Sequence, residues 1–239
     1  MTTPTNRPTL KLLRRDEYVG VNNQDPIRFY HWPIIGAMYR RRVELCLGEC
    51  RGGQRILEVG FGTGLTFMNL HEMYREIHGL DLTADISAVQ AAFAARNIPT
   101  QLSRGNVLEM PYEDGFFDTV LLISILEHLK PQEQFKAFAE IERVLRPGGQ
   151  VVYGVPIERP LMVLVFRMLG CDIRQEHFST ELDVSFAAQE RFRKVRLFQM
   201  SSRPPIFGPV YEVGHFLKVP TKPPGAVEPP CGPDVATVS

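Results

Sequence analysis

The sequence predicts an α/β fold: a mostly parallel sheet with helices on both faces, closed by an antiparallel hairpin. Three observations carry that expectation. Short β-branched or apolar runs alternate with helical patterns through the middle of the chain. A glycine-rich turn stands between the first such run and the helical pattern after it, in "ILEVGFGTGLTFMNL". Two late strand patterns follow each other with only the loop "SSRPPIFGP" between them, which argues for a hairpin at the end of an otherwise parallel sheet.

Taken in order, residues 1–9 are polar with two prolines and are expected to be disordered. Residues 10–50 form an N-terminal helical cap, and "IIGAMYRRRVELCLG" is its clearest helix. The first five strands are expected at Arg55–Val59, Ile77–Leu82, Thr100–Ser103, Thr119–Ile123 and Gln150–Val155. Helices are expected at Leu65–Tyr74, at Asp85–Arg96 with Thr83 as its N-cap, and at Gln132–Leu145. "RPGG" at 146–149 stops the last of these and turns the chain into the next strand. Residues 157–176 read as an insertion, in which "RPLMVLVFRMLG" makes an apolar lid helix or an ordinary core helix. A further helix is capped near Ser179 or Thr180, and strands at Lys194–Met200 and Tyr211–Val219 complete a count of seven. The tail 220–239, dense in Pro and Gly, is expected to be disordered, so residues 10–219 make a single domain.

The 239 residues carry 27 basic and 27 acidic side chains, a formal net charge of zero that gives no support for a nucleic-acid partner. None of the four cysteines forms a CxxC pair, and no histidine stands at zinc-finger spacing from them. Cys46 and Cys50 lie one helical turn apart as ordinary thiols, which fits a reduced, cytoplasmic chain. The first residues lack the apolar core of a secretion signal, and the run "LMVLVF" falls well short of the ~20 residues that span a bilayer. Peripheral membrane contact stays open. The sequence shows no metal-ligand cluster, so no metal site is expected.

Glycines at 60, 62 and 64, just behind a strand that ends in Glu58 and Val59, make a turn whose backbone can approach a ligand closely. Asp81 closes the second strand and, in such a sheet, stands beside that turn, where a carboxylate can accept from both hydroxyls of a ribose. Two nucleoside cofactors compete. Dinucleotide binders use G-x-G-x-x-G, but here the third glycine comes one residue early and Leu65 takes the last glycine's place. Glu58 would also repel a pyrophosphate. S-adenosylmethionine has no phosphate and carries a sulfonium and an ammonium, which suit an acid before the turn.

"LEVGFGTG", "GLDLT", "FDTVLLISILEHL" and "RVLRPGGQVVYGVP" together resemble class I S-adenosylmethionine-dependent methyltransferases of the small-molecule type, over about residues 54 to 156. The resemblance implies a Rossmann-like seven-stranded sheet whose last strand is antiparallel. It implies that Glu58, Gly60, Gly62 and Gly64 line the methionine half of S-adenosylmethionine and that Asp81 holds the ribose. Leu82 would pack on the adenine face, and Asn106 and Val107 would meet the adenine edge. Ser124 would lie under the methionine part. Many relatives carry Asp where Asn106 stands, which still leaves an acceptor for an exocyclic amine.

Methyl transfer from a sulfonium is an in-line displacement on carbon, so alignment is the enzyme's main task, and it can supply ~7–11 kcal/mol. A hydroxyl nucleophile gains from a general base; His177 and His128 are the candidates, each with a competing structural role in a loop or in local packing. Tyr30 and Trp32 flank His31 in an aromatic stretch that either closes over the cofactor site or packs the cap. Arg40, Arg41 and Arg42 read as a solvated face. His71, His78 and His215 carry no functional expectation. The acceptor expected is a small molecule with a sizeable apolar part, methylated on O or N. The loop "GFGTGLTFMNL" also looks like bacterial phosphatidylethanolamine methyltransferases, which makes a lipid headgroup amine at a membrane surface the alternative. A nicotinamide oxidoreductase and a non-catalytic S-adenosylmethionine-binding protein are the remaining readings.

Overall fold

A computed structural model describes residues 8–18, 27–31, 35–157, 177–202 and 208–219. Residues 1–7 and 220–239 of the expected disordered ends, Trp32 and nearly all of the expected lid lie outside the described residues, whereas Pro8 and Thr9 are described and Thr9 O is hydrogen-bonded. The strands are β1 (Gly53–Val59), β2 (Tyr74–Asp81), β3 (Thr100–Arg104), β4 (Phe117–Ile123), β5 (Leu145–Pro156), β6 (Arg193–Ser201) and β7 (Pro209–Leu217). The helices are α1 (Ile27–Tyr30), α2 (Ile35–Glu49), α3 (Phe67–Leu70), α4 (Ile86–Ala94), α5 (Pro131–Val144) and α6 (Glu181–Gln189). They assemble into one seven-stranded sheet of order β3-β2-β1-β4-β5-β7-β6. β1 to β5 pair in parallel, and β7 runs antiparallel to both β5 and β6. This is the mostly parallel sheet with an antiparallel last strand that the sequence predicts.

Alternation along the strands sends side chains to two cores. Ile56, Ile77, Leu121 and Val152 face one way, onto Cys46 and Leu47 of α2 and Val89 and Phe93 of α4. Leu57, Val120, Val151 and Tyr153 face the other way, onto Phe138 and Ile141 of α5 and Val184 and Ala188 of α6. Both faces are therefore covered, as parallel strands require.

Three of the differences from the expected elements have a visible cause. The helix expected at Leu65–Tyr74 shortens to Phe67–Leu70, because Tyr74 opens β2 opposite Gly53 and its hydroxyl bonds the buried Thr119 Oγ1 at 2.9 Å. Asp85, not Thr83, caps α4: its carboxylate accepts from Ala88 N at 3.1 Å, while Thr83 N donates to Asp81. The segment 146–149 lies within β5, where the register with β4 jumps from Phe117–Leu145 to Thr119–Gln150. The N-terminal segment is sewn to α3 through Asn69, which accepts from Lys11 N and donates to Thr9 O, both at 2.9 Å.

Candidate active site

Strand order reverses between β1 and β4: β2 and β3 continue on one side, β5 on the other. In open α/β sheets the crevice at that switch, beyond the carboxyl ends of the strands, is where ligands bind. Glu58, the glycine turn, Asp81 and Ser124 all come to this edge, at the ends of β1, β2 and β4.

The turn is left-handed at Gly60, Gly62 and Gly64, with φ of +73°, +52° and +74°. At Gly60 a Cβ would stand 2.0 Å from Ile125 Cδ1. At Gly64 it would meet Phe67 and Phe93 at 2.6 Å, two rings in edge contact with centroids 5.1 Å apart. The bareness of this loop thus serves packing. Asp81 ties loop to strand: one carboxylate oxygen accepts from Gly62 N at 2.9 Å, the other from Thr83 N and Ala84 N at 2.8 and 2.9 Å. Leu82 follows it and is 60% exposed, an apolar side chain outside both cores. Across from it, after β3, Asn106 is exposed and Val107 buried. Asn106 Oδ1 accepts from Leu108 N at 2.9 Å, which leaves it one further lone pair.

Glu58 is buried and accepts a hydrogen bond from the Thr66 hydroxyl. Burial pushes its carboxyl up to about 8; the Thr66 bond pulls it down and the nearby Asp81 charge pushes it up further. A buried acid that is neutral at pH 7 and close to ionising can gain a charge in answer to a cationic guest.

On the β4 side, Ser124 is a non-glycine residue at φ +56°, and its Oγ lies 3.1 Å from the Tyr211 hydroxyl. Tyr211 reaches it because Gly154, next in line on β5, has no side chain: a Cβ there would sit 2.6 Å from the Tyr211 ring. The arginine run is not the uniform solvated face that its sequence suggests. Arg40 donates to Tyr30 O at 2.6 Å, Arg41 pairs with Glu44 at 3.9 Å, and the half-buried Arg42 guanidinium lies 4.0 Å over the Tyr39 ring and 5.1 Å from that of Tyr211. Tyr30 is buried against Tyr39, with ring centroids 5.4 Å apart. His128 and His177 come together, rings 5.1 Å apart, although the chain separates them widely. Tyr39 closes the aromatic arm, about Tyr18 to Tyr39, that the sequence offers for acceptor choice; sequence reasoning did not single out Arg42, Tyr211 or Glu127, and Gly154, a glycine inside a strand, was the one available sign of a close approach there.

Residues 57–153 match a protein family described as a methyltransferase domain. That stretch, from β1 to β5, is therefore similar to a methyltransferase domain. The chain is 33% identical over 119 residues to a probable S-adenosylmethionine-dependent methyltransferase of Mycolicibacterium smegmatis, covering 50% of this chain and 42% of the relative. It is 31% identical over 112 residues to ajmaline N-methyltransferase of Rauvolfia serpentina, covering 45% and 38%. The chain thus spans about two fifths of the length of these curated relatives. Among solved structures, N-methyltransferase NodS from Bradyrhizobium japonicum, in complex with S-adenosyl-L-homocysteine, shares the fold with a TM-score of 0.61 at 17% identity, covering 85% of this chain and 96% of that one. Among the described residues, no helix is long and apolar enough to cross a membrane.

Proposed function

We propose that this domain binds S-adenosylmethionine across the carboxyl ends of β1 and β2 and transfers its methyl group to an oxygen or nitrogen of a small molecule with a sizeable apolar part. The carrying observation is the pair of carboxylates that brackets the bare turn, with Glu58 buried below it and Asp81 pinned to Gly62 beside it. In this reading Glu58 and the turn at Gly60, Gly62 and Gly64 hold the methionine portion, and ionisation of Glu58 answers the incoming ammonium. Asp81 takes the ribose hydroxyls, Leu82 and Val107 sandwich the adenine, and Asn106 accepts from its amine. Ser124 lies under the methionine portion at the boundary with the acceptor side. Gly64 serves chiefly by making room for Phe67 and Phe93.

The reaction is a single displacement. The acceptor's lone pair forms the new bond to the methyl carbon, the carbon–sulfur bond breaks, and its electron pair returns to sulfur to give S-adenosylhomocysteine. The chain's contribution is alignment of the acceptor with the S–CH3 axis. Tyr30, Tyr39, Arg42 and Tyr211 offer an aromatic acceptor wall with one fixed positive charge, since arginine stays protonated at any working pH. That wall supports an acceptor with an apolar body. A relative from Mycobacterium ulcerans, 33% identical over 135 residues, is named phthiotriol/phenolphthiotriol dimycocerosates methyltransferase 1.

Titration with S-adenosylhomocysteine and with NADH tests the cofactor, and Asp81→Ala tests its placement. Loss of the ribose contacts weakens binding by about 1–3 kcal/mol, or roughly 5- to 150-fold. Wild-type affinity in that variant, or tight NADH binding with no response to S-adenosylhomocysteine, overturns the reading. Incubation of cell extracts with isotope-labelled methyl donor, followed by mass spectrometry of lipid and aqueous fractions, then identifies the acceptor.

A further inference from the structure

The described residues bring three ligand-bearing side chains together at the end of β4: Glu127, His128 and His177, each offering one ligand atom, all within 4.8 Å of one another. The backbone builds this cluster. Glu127 and His128 sit on one 3-10 turn, Leu126–His128, directly beyond Ser124. The segment carrying His177 is clamped to the same turn: Phe178 N and Ser179 N both donate to Glu127 O, at 2.8 and 3.2 Å, and Ser179 Oγ donates to Leu129 O at 2.6 Å. α6 follows at once, its N-terminus capped by Thr180, so the clamp is held from both ends. Glu127 is 3% exposed, whereas His128 is exposed and His177 half-buried.

We propose that Glu127, His128 and His177 bind a divalent transition-metal ion on the acceptor side of the methyl-transfer site. Two imidazoles and one carboxylate on a single face are a donor set for Zn2+, Mn2+ or Fe2+ that leaves coordination positions open. Ligand atoms about 2.0–2.2 Å from a common metal lie roughly 3–3.5 Å apart. Closing in from 4.8 Å takes ring rotations, which an exposed and a half-buried imidazole allow. A merely structural cluster would account for the two rings in edge contact. The buried Glu127 carboxylate, which already lies in the field of the Arg42 guanidinium, adds an oxygen donor that edge packing of two rings does not call for.

The consequence of the site deepens the function proposed above and rests on it, while the metal binding itself does not. Open positions beside Ser124 suit an acceptor hydroxyl with a second oxygen next to it. The metal lowers that hydroxyl's pKa, the proton passes to bulk water at the exposed His128 edge, and the metal-held oxygen attacks the methyl carbon as the carbon–sulfur bond breaks onto sulfur. The acceptor class is then an oxygen nucleophile that chelates, rather than an isolated amine. The expectation of no metal site arose because His177 stands far along the chain from the Glu127–His128 pair, at no recognisable ligand spacing.

The full chain, stripped with a chelator and titrated with Co2+, tests this. One equivalent should bind and give the visible absorption of a site with nitrogen and oxygen ligands, with paramagnetically shifted signals from two imidazoles. His177→Ala and Glu127→Gln should each weaken Co2+ binding at least tenfold, with S-adenosylhomocysteine affinity retained. No stoichiometric Co2+ binding by the wild type, or binding equally tight in both variants, overturns the proposal. The wild-type spectrum decides alone where a variant fails to fold, because fewer than two shifted imidazoles there also overturns it. Co2+ binding without S-adenosylhomocysteine binding would remove the methyltransferase reading and leave the metal site standing.

Discussion

On the β1–β2 side of the sheet edge, Glu58, the glycine turn and Asp81 belong to one continuous strand–loop–helix–strand unit. On the β4–β5 side, Tyr39 and Arg42 come from α2, Ser124 and Glu127 from the end of β4, His177 from the approach to α6 and Tyr211 from β7. The first region is wired by backbone: Asp81 accepts from three amides, and three left-handed glycines shape the turn. The second is wired by side chains, through phenols over a guanidinium and a hydroxyl pair. In the function proposed above, the first side takes the cofactor through a turn and two carboxylates, and the second chooses the acceptor through side chains that can be exchanged one at a time. The donor side should accordingly fail through strain and charge, in large steps, and the acceptor side in small ones.

The largest step is the charge at Glu58. Its unfolded-state carboxyl titrates at 4.5 and the folded one at about 8. Between those values the native state holds a proton that the unfolded state has lost, so stability falls with rising pH. The stabilisation is complete below the unfolded value and is lost as pH passes the folded one. The span is on the order of 5 kcal/mol in the ligand-free protein. Urea unfolding at pH 5, 7 and 9 should show this slope in the wild type and a flatter one in Glu58→Gln. Bound S-adenosylhomocysteine should flatten it too, because its ammonium favours the ionised acid. Parallel pH profiles for the two proteins would mean that Glu58 is not the buried acid described above.

Next comes Gly60→Ala. The variant places a Cβ in a left-handed residue, at about 1–2 kcal/mol, and against Ile125 Cδ1, at about 1–3 kcal/mol of overpacking. The expected loss of about 2–5 kcal/mol should be relieved only in part by adding Ile125→Ala, which removes the clash and leaves the backbone cost. Full rescue in the double-mutant cycle would show that the turn tolerates a side chain and that only the neighbour forbids it.

A smaller effect is expected at Arg42→Met, which keeps the stem and removes the charge over Tyr39 and Tyr211. Lost cation–π attraction costs about 0.5–2 kcal/mol, and S-adenosylhomocysteine affinity should stay within about twofold if the two sides are energetically separate. A large fall in cofactor affinity would show them coupled.

The same contrast explains what could be read from the sequence. β1, β2 and the glycine turn were legible because their signals are local: strand periodicity, turn residues, and an acid at a spacing the fold dictates. The hairpin at β6 and β7 was legible from the short loop between two strand patterns. α3 ran too long on paper because Met73 and Tyr74 continue an apolar pattern, and only pairing with Gly53 reveals that Tyr74 is in the sheet. Arg42 was hidden in a run of three arginines, which a helix spreads around its circumference to three different partners. The Glu127–His128–His177 cluster and the Tyr211–Ser124 pair join distant segments, and no periodicity within one segment encodes such a meeting.

Ser124 gives the finest test, because two of its features oppose each other. As a non-glycine residue at φ +56° it carries a backbone cost of about 1–2 kcal/mol, while its Oγ bond to Tyr211 contributes about 0.5–1.5 kcal/mol. Ser124→Ala loses the bond and keeps the cost, so it should destabilise by about 1 kcal/mol. Ser124→Gly loses the bond and the cost together, so denaturation should find it within about 0.5 kcal/mol of the wild type. Tyr211→Phe should then match Ser124→Ala, and the Ser124→Ala, Tyr211→Phe double variant should be no worse than either alone. Additive losses would separate the two hydroxyls and leave the left-handed serine held by its backbone bond to Gly154 O at 2.8 Å rather than by Tyr211.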